Sequence, residues 1–169
     1  MKLSAQEEYG LRCLLHLARC GQGESLTIPE ISRAEGLSVP NVAKLMRLLR
    51  MGGFVQSARG QSGGYTLANS ADKISVASVL DLLGGPFYGP AFCDRHSGRE
   101  DMCTHATDCS LRSLWSTVQL VLGEVLEKTS LKDLLCGELE MSKRIEDMTG
   151  AMLPFCSNAS ETPVTTDAH

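Results

Sequence analysis

Aromatic residues make up only 5% of this 169-residue chain, with a single tryptophan; that scarcity argues against an aromatic-rich β-sandwich and suits a helix-rich domain. No apolar run approaches the ~20 residues of a membrane span. The opening MKLSAQEEYG turns acidic where a secretory leader needs an apolar stretch, so a cytoplasmic protein with no membrane partner is expected. There is no Cys-x-x-Cys and no dinucleotide fingerprint, and the glycine-rich stretch 60–64 lacks the Lys-Ser/Thr end of a phosphate-binding loop. Nothing here calls for an enzyme. One kind of charge is also locally missing: between Gly36 and Ala71 no Asp or Glu occurs, while Lys44, Arg47, Arg50 and Arg59 fall there. Residues 1–70 hold eight Lys/Arg against five Asp/Glu, whereas the chain as a whole has a net charge of −4. A mildly acidic protein thus contains one basic window, a local footprint for nucleic acid.

Hydrophobic residues are 43% of the chain, and at this length roughly 70% of the unfolded surface can be buried on folding. Their periodicity reads as helices for most of the N-terminal half. Ser4-Ala-Gln-Glu7 is a capping box opening a helix through Leu11, Leu14, Leu15 and Ala18 to Gly21. Thr27-Ile-Pro-Glu30 opens a second, short helix that Gly36 ends. Ser38 is expected to cap a third, with Pro40 in its first turn and Val42, Leu45, Leu48 and Leu49 as its buried stripe, stopped at Gly52-Gly53. Two extended segments, around Phe54 to Ala58 and Tyr65 to Ala68, flank a glycine-rich tip and form a hairpin. A compact helix follows from Ile74 to Leu83. No period survives from Pro86 to Asp108. Ser110 to Lys128 returns to helical spacing, and Ser130-Leu-Lys-Asp133 caps a last short helix before a polar tail from about Gly137.

Two short helices joined by a glycine turn and followed by a hairpin have the element order of a winged helix-turn-helix. The expected fold is therefore mainly α: a winged helix with a β-hairpin wing, plus a long helix for dimerisation. Lys44, Arg47 and Arg50 recur at i, i+3, i+6 on the third helix, on the side away from its leucines, which suits a helix lying between core and phosphates; an ordinary solvated face is the plainer alternative. Recognition helices enter the major groove by their N-terminal end, so Ser38, Pro40, Asn41 and Lys44 are the candidates to approach bases. Asn41 has the groups to pair with adenine or simply fills a first turn. Arg59, with Gly60 and Gln61 beside it at the wing tip, is placed for the minor groove.

Seven cysteines, an odd number, in a chain without an export signal speak against a disulfide framework. Cys93, Cys103 and Cys109 share the aperiodic segment, with nine and five residues between them. Zinc sites favour pairs two to four residues apart, so zinc is open but not indicated, while iron-sulfur clusters also take thiolates. Cys13, Cys20 and Cys136 read as packing residues, and Cys156 has no role.

Taken together, the opening Met-Lys-Leu-Ser, Tyr9, the Leu37-Ser38 turn with Lys44, the wing Arg59-Gly-Gln-Ser-Gly-Gly-Tyr65, the Asp81 helix and the three-cysteine loop before a long helix resemble the IscR/NsrR family of bacterial transcription regulators, over residues 1 to about 136. The resemblance implies a cytoplasmic homodimeric repressor or activator that binds double-stranded DNA at a pseudo-palindromic operator. It also implies one iron-sulfur cluster per chain, 2Fe-2S or 4Fe-4S, held by Cys93, Cys103 and Cys109, with DNA affinity set by redox state, nitric oxide or iron-sulfur status. Ser38, Pro40, Asn41 and Lys44 match its recognition positions and Arg59 its wing arginine. Some relatives place a histidine three residues beyond the last cysteine, where this chain has Arg112, which has no free electron pair for iron. Others use a carboxylate from the partner's first helix, and Glu8 stands at that position; His105 is its main rival and His96 a weaker one. The gap of nine between the first two cysteines is longer than in the best-known members.

The implied organisation is a DNA-binding domain at 1–83, a cysteine-rich loop at 84–109, a dimerisation helix and short helix at 110–136, and a flexible tail at 137–169. A winged-helix regulator with zinc or a cysteine redox switch in the loop is the alternative, and an iron-sulfur electron-transfer protein a further one. A winged helix used only for protein contacts would show no salt-dependent DNA binding.

Overall fold

The structure, a computed structural model, describes residues 3–21, 24–58, 63–89, 91–97, 103, 105 and 107–149. Helix α1 (Ala5–Arg19) starts at the capping box: the Ser4 amide donates to Glu7 Oε2 at 2.7 Å, and the Glu7 amide donates back to Ser4 Oγ at 3.3 Å. Thr27 and Glu30 repeat the device for α2 (Ile28–Glu35), which ends at Gly36 with φ +66°, a left-handed cap that an L side chain resists. The turn then delivers α3 (Val39–Met51). Ser38 has the backbone of an N-cap, but its side chain makes no cap bond, contrary to the expected cap. Its hydroxyl is exposed instead.

Strands β1 (Val55–Ala58) and β2 (Gly64–Leu67) pair antiparallel, Val55 opposite Leu67 and Ala58 opposite Gly64. Leu26 adds a bridge on the far side of β2, exchanging two backbone hydrogen bonds with Tyr65 at 2.8 and 3.0 Å. A Cβ at Gly64 would stand 2.9 Å from the Leu26 carbonyl oxygen, so that close approach requires glycine. The hairpin tip, 59–62, lies outside the described residues.

Leu14 and Cys13 from α1, Ile31 from α2, the inner face of α3, Val55 and Val79 make one core. On α3 the buried set is Val42, Leu45, Met46 and Leu49, with Leu48 only half-buried on the flank; Met46 sits nearer the centre of the inner face at 100° per residue than the expected Leu48. Helix α4 (Val76–Leu83) closes the core, and Gln6 Nε2 donates to the Leu83 carbonyl at 2.5 Å. An ionic tie fixes α2 on α1: Glu35, at the end of α2, accepts from Arg12 Nε at 2.9 Å and lies 3.4 Å from His16 Nδ1, while Arg12 Nη2 also donates to the Glu35 carbonyl at 2.7 Å.

Beyond α4 the chain departs from expectation in two places. The aperiodic segment contains a short helix, α5 (Ala91–Arg95). Residues 138–149, expected as the start of a flexible tail, form α7 (Glu138–Thr149), a correction explained by helix-favouring Glu, Leu, Met, Lys and Arg and by the Arg144 ion pairs to Asp133 and Glu140. The rest of the expected tail, 150–169, lies outside the described residues. Between them runs α6 (Ser110–Lys128), which has no fully buried residue. After it the chain returns to the core: Leu131 N–H donates to the Ile74 carbonyl at 2.8 Å, and its side chain is buried. Ser130 and Asp133 bond reciprocally as a capping pair, but the result is a 3-10 turn at Asp133–Leu135 rather than a helix.

Ile31 is the one fully buried side chain of α2, so Ile31→Ala is expected to cost about 2 to 5 kcal/mol of unfolding free energy in urea titrations, against no more than about 0.5 kcal/mol for the exposed Arg33→Ala.

Candidate nucleic-acid interface and cysteine site

The core decides which side of α3 faces out. With Val42, Leu45, Met46 and Leu49 turned inward, Lys44, Arg47 and Arg50 are exposed and make no ion pair among the described residues. Ser38 and Pro40 are exposed at the leading turn, and Asn41 is half-buried. No acidic residue lies in the first turn of α3, so neither the backbone dipole at that end nor the three cations is neutralised locally. The surface can bind phosphates and present side chains to a groove. Arg59, Gly60 and Gln61 lie outside the described residues. Val39, the first residue of α3, is 47% exposed; it was not among the sequence candidates, because a valine at the start of an amphipathic helix is ordinarily counted with the core.

All six described cysteines are free. Cys93, Cys103 and Cys109 are half-buried. Cys93, on α5, has its Sγ 3.7 Å from the Tyr88 hydroxyl. The Tyr88 amide donates to Gln119 Oε1 on α6 at 2.9 Å, and its ring packs on Phe92. The Tyr88 phenol is held above its ordinary pKa first by the hydrogen bond with Cys93, then by burial and by negative charge at Cys93; charge at Cys109 adds to this and Arg112 opposes it. Two of the three loop cysteines therefore act on one phenol. Tyr88 was missed in the sequence because an aromatic in an aperiodic stretch has no face to read. A cavity of about 550 Å³ opens here, lined by Tyr88, Cys93, Arg112, Ser116, Gln119 and Leu120.

The rival ligands separate. Glu7 is engaged in its capping box, whereas the Glu8 side chain, one residue on, is exposed with no hydrogen bond or ion pair among the described residues. His96 stacks on Phe92, ring centroids 4.2 Å apart, with Nδ1 2.8 Å from the Phe92 carbonyl oxygen. His105 is exposed, and its carbonyl accepts from Arg112 at 3.5 Å. Among the described residues no three His, Cys, Asp or Glu side chains gather closely enough to hold a metal ion. The donors themselves, three half-buried cysteines in no disulfide, suit a thiolate-held cluster or zinc.

The packing cysteines differ in kind. Cys13 is fully buried, and burial, with Glu35 nearby, pushes its thiol up to about 12. Folded protein keeps that proton where an unfolded chain releases it near 9.0, so this contribution to stability is complete below about pH 9 and is lost as pH rises toward 12. Iodoacetamide on folded, metal-free protein at pH 8 is accordingly expected to modify Cys93, Cys103 and Cys109 and to spare Cys13, as read by peptide mass mapping; alkylation of Cys13 at the rate of the loop thiols would contradict its burial.

Residues 3–137 match the model of the Rrf2 family, described as an iron-dependent transcriptional regulator. The protein rrf2 of Nitratidesulfovibrio vulgaris is 33% identical, over 80% of this chain and 87% of that protein. The regulator IscR of Vibrio parahaemolyticus is 27% identical, over 96% and 94%. Among solved structures, CymR, the global cysteine regulator of B. subtilis, superposes with a TM-score of 0.64 at 29% identity, covering 80% of this chain and 96% of its own. T. potens IscR superposes at 0.61 with 27% identity, covering 89% and 93%. Such relatives are transcriptional regulators and not enzymes, and no helix among the described residues is long and apolar enough to cross a membrane. With the family model spanning most of the chain and the winged helix in place, the chain belongs to the Rrf2 family of DNA-binding transcriptional regulators.

Proposed function

We propose that this regulator acts as a homodimer whose affinity for a pseudo-palindromic operator is set by an iron-sulfur cluster, one per chain, at Cys93, Cys103 and Cys109. The observation that carries this reading is the position of Tyr88: its phenol meets Cys93, while its amide is held by Gln119 of α6. Whatever the thiols bind therefore bears on α6. That helix has Leu111, Leu114, Leu120 and Val121 half or more exposed. Covering them with the same helix of a second copy is worth about 1.5 to 3 kcal/mol for each side chain fully buried. In this reading residues 1–83 bind DNA, 84–109 hold the cluster, and 110–136 form the dimer, with α7 added behind it.

A cluster supplies redox and ligand-exchange chemistry when bound; the chain's part is to hold it by thiolates and to link its state to subunit geometry. Glu8 is the proposed fourth ligand, given across the dimer, since Glu7 is taken by the helix cap and Glu8 is not. A carboxylate is a harder and more easily displaced ligand than a thiolate, which suits a sensor. A 100-fold difference in operator affinity between cluster states corresponds to about 2.7 kcal/mol, within the range of ordinary allosteric coupling. A second reading is favoured by the likeness to Staphylococcus aureus CymR, which is also solved in an oxidized form. It makes the loop cysteines a zinc site or a redox switch with no cluster.

Iron and acid-labile sulfide measured on anaerobically purified protein separate the two. The cluster reading expects about one cluster per chain, lost in Cys93→Ala, Cys103→Ala and Cys109→Ala and kept in Cys13→Ala, Cys20→Ala and Cys136→Ala. Glu8→Ala is expected to change the visible spectrum or speed cluster loss, with His105→Ala close to wild type; the reverse pattern moves the ligand to His105. On DNA, Arg59→Ala is expected to cost about 1 to 3 kcal/mol and Lys44→Ala to weaken binding with a shallower salt dependence. Unchanged affinity in both would remove the winged helix from function.

A further inference from the structure

Most of the large exposed apolar side chains belong to α6, α7 or the chain's first residues, but two stand on α3: Met51 at its C-terminal end, and Val39 at its leading turn. It is the first residue of α3, 47% exposed. Its surroundings on the outer side of that helix are polar and cationic: exposed Ser38, Pro40, Lys44, Arg47 and Arg50, with no acidic residue from Leu37 to Ala71. A protein partner would have to match an isolated branched side chain inside a cationic field. Duplex DNA supplies that match, because its phosphates meet the cations and its major groove presents one apolar group, the C5-methyl of thymine. The leading turn is also stiff. Pro40 fixes its own φ, and a β-branched side chain at the start of a helix is held near one rotamer, so little freedom is lost when the contact forms.

We infer that Val39 is a specificity-determining residue that reads one thymine per half-site through its C5-methyl. The inference rests on the DNA-binding role of α3 proposed above. It assigns the leading turn an apolar readout, whereas the sequence alone pointed to the hydrogen-bonding Asn41, which is half-buried while Val39 projects.

The test removes the methyl from the DNA. Duplexes selected by the full-length, anaerobically purified protein from a random library are resynthesised with uracil in place of each half-site thymine in turn, which leaves base pairing intact. Affinity is then read by fluorescence anisotropy for wild type and Val39→Ala. Wild type is expected to lose about 4-fold at one thymine per half-site, the value of one apolar carbon removed from water. Val39→Ala is expected to bind the parent duplex more weakly, to be indifferent to uracil at that position, and to keep the wild-type salt slope, since no phosphate contact is touched. A uracil penalty of equal size in Val39→Ala, or no thymine at which uracil matters to wild type, overturns the role of Val39 while leaving DNA binding by α3 intact. Failure of wild type to select any duplex overturns the underlying reading of α3 as well.

Discussion

Val42, Leu45, Met46 and Leu49 take the inner face of α3 out of water, where it meets α1, α2, α4 and β1. The outer face has no freedom left once this is done: a helix with one side packed rigidly must present Lys44, Arg47 and Arg50 to the other. The aim of α2, and with it the turn that feeds α3, is held by one apolar peg, Ile31, and one ionic tie, Glu35 to Arg12 and His16. Core packing thus sets the direction in which the proposed DNA-binding face of α3 points.

The C-terminal half is built on the opposite principle. Helix α6 covers α4 with one side and leaves Leu111, Leu114, Leu120 and Val121 uncovered. The thiol-bearing segment is fastened to this same helix, through Gln119 to the Tyr88 amide and through Cys109 at the α6 N-cap. The proposed sensor and the proposed dimer contact therefore share one rigid body, so a change at the sulfurs has a direct mechanical route to the relation between subunits. At its far end α6 leads into Leu131, which is buried in the same core that seats α3.

Much of this was legible in the sequence, and the reason is local. Capping boxes at Ser4 and Thr27, the glycine at 36, the cationic spacing on α3 and the three thiols in one segment are patterns over a few residues, and each expresses an energy that acts over the same few residues. Where the reading failed, distance along the chain was the cause. Met46 rather than Leu48 is fully buried where α3 packs against α1, α2 and α4. Ser38 leaves its hydroxyl unbonded. Residues 138–149 are helical, with Arg144 tied to Glu140 one turn back and to Asp133 eleven residues back, and the second of these ties lies beyond any local pattern.

By itself the sequence determined the order of helices and hairpin, the basic window and the candidate thiolate ligands, since these follow from composition and short-range spacing. Only the tertiary structure decided which α3 residues project, Val39 among them, and which stay on the flank of the core. It alone also put Tyr88 between Cys93 and α6 and left the α6 leucines uncovered. Each of these turns on which surfaces meet, and burial is a property of the packed chain that no single segment carries.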